Sequence, residues 1–146
     1  MDICSLDTNS LDKQDKHQLT NKCILIIDNT DEIWRIAKLS LEIGAGWQVL
    51  AAISVYDGLA ITTEKQIDAI LLNTVFLDEE EIAALYKIKA NPNTRYLPII
   101  LLAERVRTTD LRRAKERGAM AVIAKPFDSV NLAQQIAEVL SWFTPE

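Results

Sequence analysis

Asp68-Ala69-Ile70-Leu71-Leu72-Asn73 is the stretch whose reading decides the fold. Four apolar residues run together, entered by an acid and left by an amide. A strand with one wet side alternates apolar and polar residues, whereas an unbroken apolar run suits a strand buried on both faces. Such a strand belongs in the middle of a parallel sheet. In open α/β sheets chemistry gathers just past the carboxyl ends of the strands. On this reading Asn73 stands there, and the function is expected to turn on it.

Working outward, Cys23-Ile24-Leu25-Ile26-Ile27 is a second all-apolar, β-branched run and so a second buried strand. It stops at Asp28-Asn29-Thr30-Asp31-Glu32. A helix follows, with Ile33, Ile36, Ala37, Ser40 and Leu41 on one face, Asn29 or Thr30 as its N-cap, and Gly44 and Gly46 at its end. Residues 47–53 form the next strand. Ser54 caps a short helix over residues 54–63, with Leu59 and Ala60 inward. Residues 79–90 read as helix, with Ile82, Leu85, Tyr86 and Lys89 at helical spacing, broken by Asn91-Pro92-Asn93.

Residues 97–102 are another apolar strand. Residues 104–117 hold a loop and a short helix closed by Gly118, with Val106 and Leu111 turned inward. Residues 120–124 make the last strand, which ends at Lys125-Pro126-Phe127. Asp128 or Ser129 then caps a helix whose apolar stripe is Leu132, Ile136, Val139, Leu140 and Phe143. Five strands alternating with five helices predict a parallel sheet covered on both faces through right-handed crossovers. Residues 1–21 read as a flexible polar arm and residues 22–146 as the folded domain, with no output domain expected after it.

Composition bounds the function. The chain has 146 residues, 49% hydrophobic and 25% charged, with net charge -5. That balance disfavours nucleic acid and anionic membrane as partners. No apolar run reaches the roughly 18 residues of a membrane helix, and the first residues lack a signal peptide's apolar core. A cytoplasmic location is the expectation. With two cysteines, Cys4 and Cys23, and a single histidine, His17, there is no CxxC and no Cys/His cluster. A zinc site and a Cys/His nucleophile are not expected.

The segments Ile24-Leu25-Ile26-Ile27-Asp28-Asn29, Asp68-Ala69-Ile70-Leu71-Leu72-Asn73, Leu97-Pro98-Ile99-Ile100-Leu101-Leu102 and Ala124-Lys125-Pro126-Phe127, in that order and spacing, resemble a response regulator receiver domain of the CheY-like superfamily. The resemblance covers residues 22–143. The Gly-Trp-Gln-Val and Lys-Pro-Phe surroundings resemble the single-domain receivers of cyanobacteria. What the resemblance implies is a flavodoxin-like doubly wound (βα)5 sandwich with strand order 2-1-3-4-5, and a place in two-component phosphorelay signalling.

The resemblance also implies a phosphorylation pocket, and here the chain departs from its pattern. A working receiver has an aspartate where Asn73 stands, which attacks a phosphoryl donor. It has two acids matching Asp28 and Asn29 that hold magnesium, a Thr or Ser where Ala103 stands, a lysine matching Lys125, and a switching aromatic where Val122 stands. Asp28 and Lys125 fit the pattern. Asn29, Asn73, Ala103 and Val122 do not. An amide is a poor phosphoryl acceptor, and magnesium prefers anionic oxygens. The expectation is a metal-free pocket with an Asp28–Lys125 pair, no cofactor, and Asp28 at most a weak magnesium ligand. The linker Thr74-Val75-Phe76-Leu77-Asp78 lacks the usual Pro and Gly, which leaves room for the third helix to begin earlier, and the acids that follow suit a helix N-terminus.

Each of these residues has a plainer role beside the sharp one. Asp28 is a metal ligand or a capping, ion-paired acid. Lys125 binds an anion or closes a salt bridge. Asn73 mimics an aspartate and locks one state, or simply caps a drifted strand. Arg105, Arg107, Arg112, Arg113, Lys115 and Arg117 form a basic cluster, diluted by Glu104, Asp110 and Glu116, that either docks an acidic partner or faces solvent.

The expected function is that of an atypical receiver, not an enzyme, which binds proteins without being phosphorylated. Its partner would be a histidine kinase or another signalling protein, met by Arg112, Arg113, Lys115 and Trp142. The resemblance also allows a homodimer through the last helix and strand. The alternatives are a receiver phosphorylated on a substitute acid, Asp28 or Asp78, and a small-anion sensor at the degenerate pocket.

Overall fold

The computed structural model describes residues 22–28, 33–76, 79–125 and 131–141. The elements are β1 (Cys23–Ile27), α1 (Ile33–Ala45), β2 (Gln48–Ala52), α2 (Val55–Thr62), β3 (Ala69–Phe76), α3 (Glu79–Ala90), β4 (Ile99–Arg105), α4 (Thr108–Glu116), β5 (Ala121–Ala124) and α5 (Leu132–Val139). All strand pairings are parallel and the sheet order is β2-β1-β3-β4-β5. This is the flavodoxin-like doubly wound sandwich that the alternating pattern and the resemblance predict.

The unbroken apolar runs explain the layering. Successive strand side chains point to opposite faces. Leu25, Ile27, Ile70, Leu72, Ile99 and Leu101 therefore join one core, shared with Ile82, Leu85 and Ile88 of α3 and Ala114 of α4. Ile24, Ile26, Ala69, Leu71, Ile100 and Leu102 join the other, shared with Ala37 and Leu41 of α1 and Leu132 and Ile136 of α5. Each fully buried Leu or Ile contributes about 1.5–3 kcal/mol by leaving water. Asp68, the acid that enters the opening stretch, ties β3 to β1. Its carboxylate accepts the Cys23 N–H at 2.8 Å, and its own N–H donates to the Cys23 carbonyl at 2.8 Å.

Several local expectations need correction. β3 runs on to Phe76 and β4 to Arg105, so Asn73 and Ala103 lie inside paired strands and not beyond their ends. The linker without Pro or Gly continues as strand to Phe76, and α3 spans Glu79–Ala90. Ile36 is 49% exposed, because the buried stripe of α1 is set by Ala37 and Leu41. In α2 the residue facing the sheet is Gly58; Ala60 is exposed and Leu59 half-buried. Tyr86 is 67% exposed, and Ile88 takes the inward place beside Leu85. Leu111 lies at the surface, since α4 turns Asp110 and Ala114 inward. Gly44 sits within α1, which continues to Ala45.

The Ser54 cap holds: its Oγ accepts the Asp57 N–H at 3.0 Å. Leu132 and Ile136 are buried as the stripe requires. The arm, the caps placed at Asn29, Thr30, Asp128 and Ser129, and Phe143 lie outside the described residues.

Two measurements check this packing. A Cβ on Gly58 would come within 3.0 Å of Ile27 Cδ1 and 3.2 Å of Ile27 Cγ1. Gly58→Val is therefore expected to destabilise by about 1–3 kcal/mol in urea unfolding, and an unchanged midpoint would show that α2 does not pack this closely. At the start of α4, hydrogen bonds from the Arg107 guanidinium and the Arg107 N–H hold the buried Asp110 carboxyl below the usual aspartate range. A depressed acid contributes stability above its unfolded pKa of about 3.9, and that contribution disappears as pH falls through the folded value. Asp110→Asn should lower stability at neutral pH, with the difference shrinking in strong acid. A difference independent of pH would contradict this.

Candidate functional site

The strands deliver three side chains to one pocket. Asp28 follows β1 directly and is anchored by its N–H, which donates to the Ala52 carbonyl at 2.9 Å. Lys125 follows β5, its N–H donating to the Ala103 carbonyl at 2.8 Å. Asn73 stands between them on β3, level with Leu102 of β4.

The Asn73 amide joins the two charges. Its Nδ2 donates to Asp28 Oδ1 at 2.9 Å. Its Oδ1 accepts from Lys125 Nζ at 2.7 Å. The orientation follows from chemistry, because the NH2 must face the carboxylate and the oxygen the ammonium. The other Asp28 oxygen, Oδ2, accepts the Trp34 N–H at 3.2 Å, from the first turn of α1. Asp28 is only 3% exposed, so both oxygens do what a buried carboxylate requires.

The expected Asp28–Lys125 pair is thus corrected: carboxylate and ammonium are linked through the amide and do not appear as a direct pair among the described ion pairs. Burial pushes the Lys125 pKa down, and the negative charges of Glu104 and Asp28 work against that shift.

Ala103 is fully buried and lies level with Thr74 on β3 and Ala124 on β5. It presents no hydroxyl. Val122 is half-buried, level with Leu101, and packs into the core beneath α3 and α4. Arg112 and Lys115 are exposed on α4 and are not part of the pocket. Arg113 Nη2 reaches Glu79 Oε2 of α3 at 3.3 Å, and its Nη1 lies 4.0 Å from Asp110. Asn29 and Trp142 lie outside the described residues.

Among the described residues, the pocket side chains do not fit magnesium as arranged. The Asp28 oxygens are already engaged, and Asn73 turns its donor nitrogen, not its oxygen, toward Asp28. Among the described residues there is no group of three or more His, Cys, Asp and Glu that could hold a metal.

Sequence reasoning missed Trp34, and it placed Thr74 in a linker and Glu104 in the basic cluster without bringing either to the pocket. Trp34 acts through its backbone N–H, for which an acid shortly before a helix start is the only signal. Thr74 comes opposite Ala103 because β3 is longer than its apolar core.

Comparison with known proteins agrees with this architecture. The sequence model for the response regulator receiver domain matches residues 24–137. Protein PilH of Pseudomonas aeruginosa is 27% identical over 119 residues, covering 81% of this chain and 97% of PilH. A probable cyclic di-GMP phosphodiesterase of Vibrio cholerae is 30% identical over 108 residues, covering 74% of this chain but only 24% of that protein. This chain thus spans about a quarter of the phosphodiesterase's length. A response regulator from Thermotoga maritima superposes with TM-score 0.74 at 20% identity, covering 83% of this chain and 98% of that one. No helix among the described residues is long and apolar enough to cross a membrane.

The amide link makes a specific forecast. Asn73→Asp would set two carboxylates within hydrogen-bonding distance and remove the Nδ2 donor. Like charges at that range repel unless a cation sits between them. Millimolar magnesium should therefore raise the melting temperature of Asn73→Asp more than that of the wild type. Equal shifts would show that residue 73 does not control metal binding.

Proposed function

The chain belongs to the response regulator receiver domain family, and from that premise we propose that it is an atypical receiver working by protein binding without phosphorylation. The observation that carries this is the Asn73 amide held between Asp28 and Lys125. In the family pattern an aspartate stands at residue 73 and attacks the phosphoryl donor. An amide offers no carboxylate nucleophile, and its nitrogen lone pair is delocalised. The trio here sums to zero charge, with every oxygen and the amide NH2 bonded. Such a pocket has no need of a dication and favours one arrangement permanently, the role that phosphorylation or its absence would otherwise assign.

The other departures support the same function. Ala103 has no hydroxyl to hold a phosphoryl oxygen, and Val122 has no ring to turn. A receiver phosphorylated on a substitute acid is less well supported. Asp28 is buried with both oxygens engaged, and Asp78 lies outside the described residues. For an anion sensor, the Glu104 charge near Lys125 works against anion capture.

We take the partner to be a histidine kinase or another protein of a two-component pathway, met in the cytoplasm. The phosphate regulon transcriptional regulatory protein PhoB of Pseudomonas aeruginosa, 28% identical over 122 residues, is a relative named as a regulator, which supports a role in signalling. A homodimer through α5 and β5 remains a form such a module could take.

The test is intact-mass spectrometry of the full chain after incubation with acetyl phosphate or phosphoramidate and magnesium. The wild-type mass should not change. A stoichiometric phosphoryl adduct on the wild type would overturn the proposal.

A further inference from the structure

We infer that the end of the sandwich opposite the pocket is a docking surface for an acidic protein segment carrying an apolar side chain. The inference rests on the reading of this chain as a binding module, and it supplies the surface and the chemistry of the partner.

The charge of the chain is strongly segregated. Residues 87–117 hold 9 of the 16 Lys and Arg but only 3 of the 21 Asp and Glu. That segment carries +6, so the remainder carries -11 to give the total of -5.

Topology gathers Lys87, Lys89, Arg95, Lys115 and Arg117 at one end, while Arg105 and Arg107 lie at the pocket side, where β4 ends and α4 begins. α3 and α4 both start at the pocket side, where β3 and β4 finish, and run back antiparallel to the strands. Their last turns, with Lys87 and Lys115, therefore reach the opposite edge. There they meet Arg95, in the loop before β4, and Arg117, just before β5. All four are exposed. Among the described residues, Lys87, Lys115 and Arg117 have no ion-pair partner. By contrast Asp110 and Glu79 engage Arg107 and Arg113. Glu116 is the one acid interleaved with Lys115 and Arg117.

The surface is built, not loose. Lys89 is half-buried, and its Nζ donates to the carbonyls of Arg95 at 3.2 Å and Leu97 at 3.0 Å. Its stem passes Gly118, where a Cβ would come within 2.8 Å of Lys89 Cγ and φ is +114. One side chain thus ties the α3 terminus, the loop and the α4 terminus together. Thr94, fully buried, donates its hydroxyl to the Ile88 carbonyl, and the Asn93 N–H donates to Asn91 Oδ1 at 2.8 Å. A loop already ordered loses little entropy on binding.

Apolar anchors sit among the cations. Tyr96 is 79% exposed and Met120 is 50% exposed. They lie at the starts of the neighbouring strands β4 and β5. Arg95 holds its guanidinium 4.9 Å from the Tyr96 ring centroid, the geometry of a cation–π contact. Aromatic, Met and Arg side chains together are what interface centres enrich. A long polyanion would also meet the acids of the rest of the chain, which sums to -11. A short acidic segment is felt only within a screening length of about 8–10 Å, and so meets the basic face alone.

The test uses the full chain, 15N-labelled, titrated with a short peptide of glutamates and aspartates containing two leucines, at low and at physiological salt. Amide shifts are expected over residues 87–98 and 113–121, with affinity falling as salt rises. Arg95→Glu/Arg117→Glu should weaken binding by about tenfold or more with an unchanged melting temperature. If that pair disturbs folding, Arg95→Gln/Arg117→Gln reads the same loss. Tyr96→Ala should weaken binding at both salt concentrations.

Shifts centred on the pocket or on α5, or affinity untouched by the charge variants, would overturn the inference. So would a single-stranded DNA of equal length binding as tightly. Neither variant touches Asn73. Peptide binding at this face together with a phosphoryl adduct on the wild type would sink the proposed function and leave this surface standing. No peptide binding and no adduct would do the reverse.

Discussion

Burial of β3 on both faces is the constraint on which the rest depends. Ala69 to Leu72 have no wet side, so helices must cover the sheet above and below. Ile24 to Ile27 of β1 and Ile99 to Leu102 of β4 share the same burial and flank β3 in parallel register. Slipping that register by one residue would turn every core side chain to the wrong face. The register in turn fixes which residues meet at the pocket.

The Asp28–Asn73–Lys125 chain shows how one atom changes a site. Aspartate and asparagine have nearly the same shape. Replacing a carboxylate oxygen with NH2 turns a repulsive neighbour of Asp28 into a hydrogen-bond donor, while the remaining oxygen still receives Lys125. The receiver scaffold is kept, and Asp28, Asn73 and Lys125 together sum to zero charge. Buried polar groups with every partner present hold one geometry, which suits a protein read by its shape.

The two ends of the sandwich differ in electrical character. At the pocket end the charges of Asp28 and Lys125 offset one another through the Asn73 amide. The opposite end concentrates cations that the described acids do not pair. Because α3 and α4 run antiparallel to the strands, Lys87 and Lys115 in their last turns meet Arg95 and Arg117 on one surface. Lys89, half-buried with its pKa pushed down by burial, is the cation given up to structure there.

Much of this was legible in the sequence. The apolar runs at residues 23–27 and 69–72 gave away doubly buried strands, and their alternation with helical patterns determined the parallel α/β fold. Asp28, Asn73 and Lys125 could each be singled out because they follow or end such runs. Tertiary structure decided how they meet. A direct Asp28–Lys125 pair was expected, but β3 extends to Phe76 and holds Asn73 between the two charges. It also decided that Ile36, Tyr86 and Leu111 face water, since helical spacing gives a periodicity but not its phase against the sheet. The physical reason is common to both. A sequence shows which residues must leave water, whereas the pairing register and the helix rotation that choose their neighbours arise only when the strands come together.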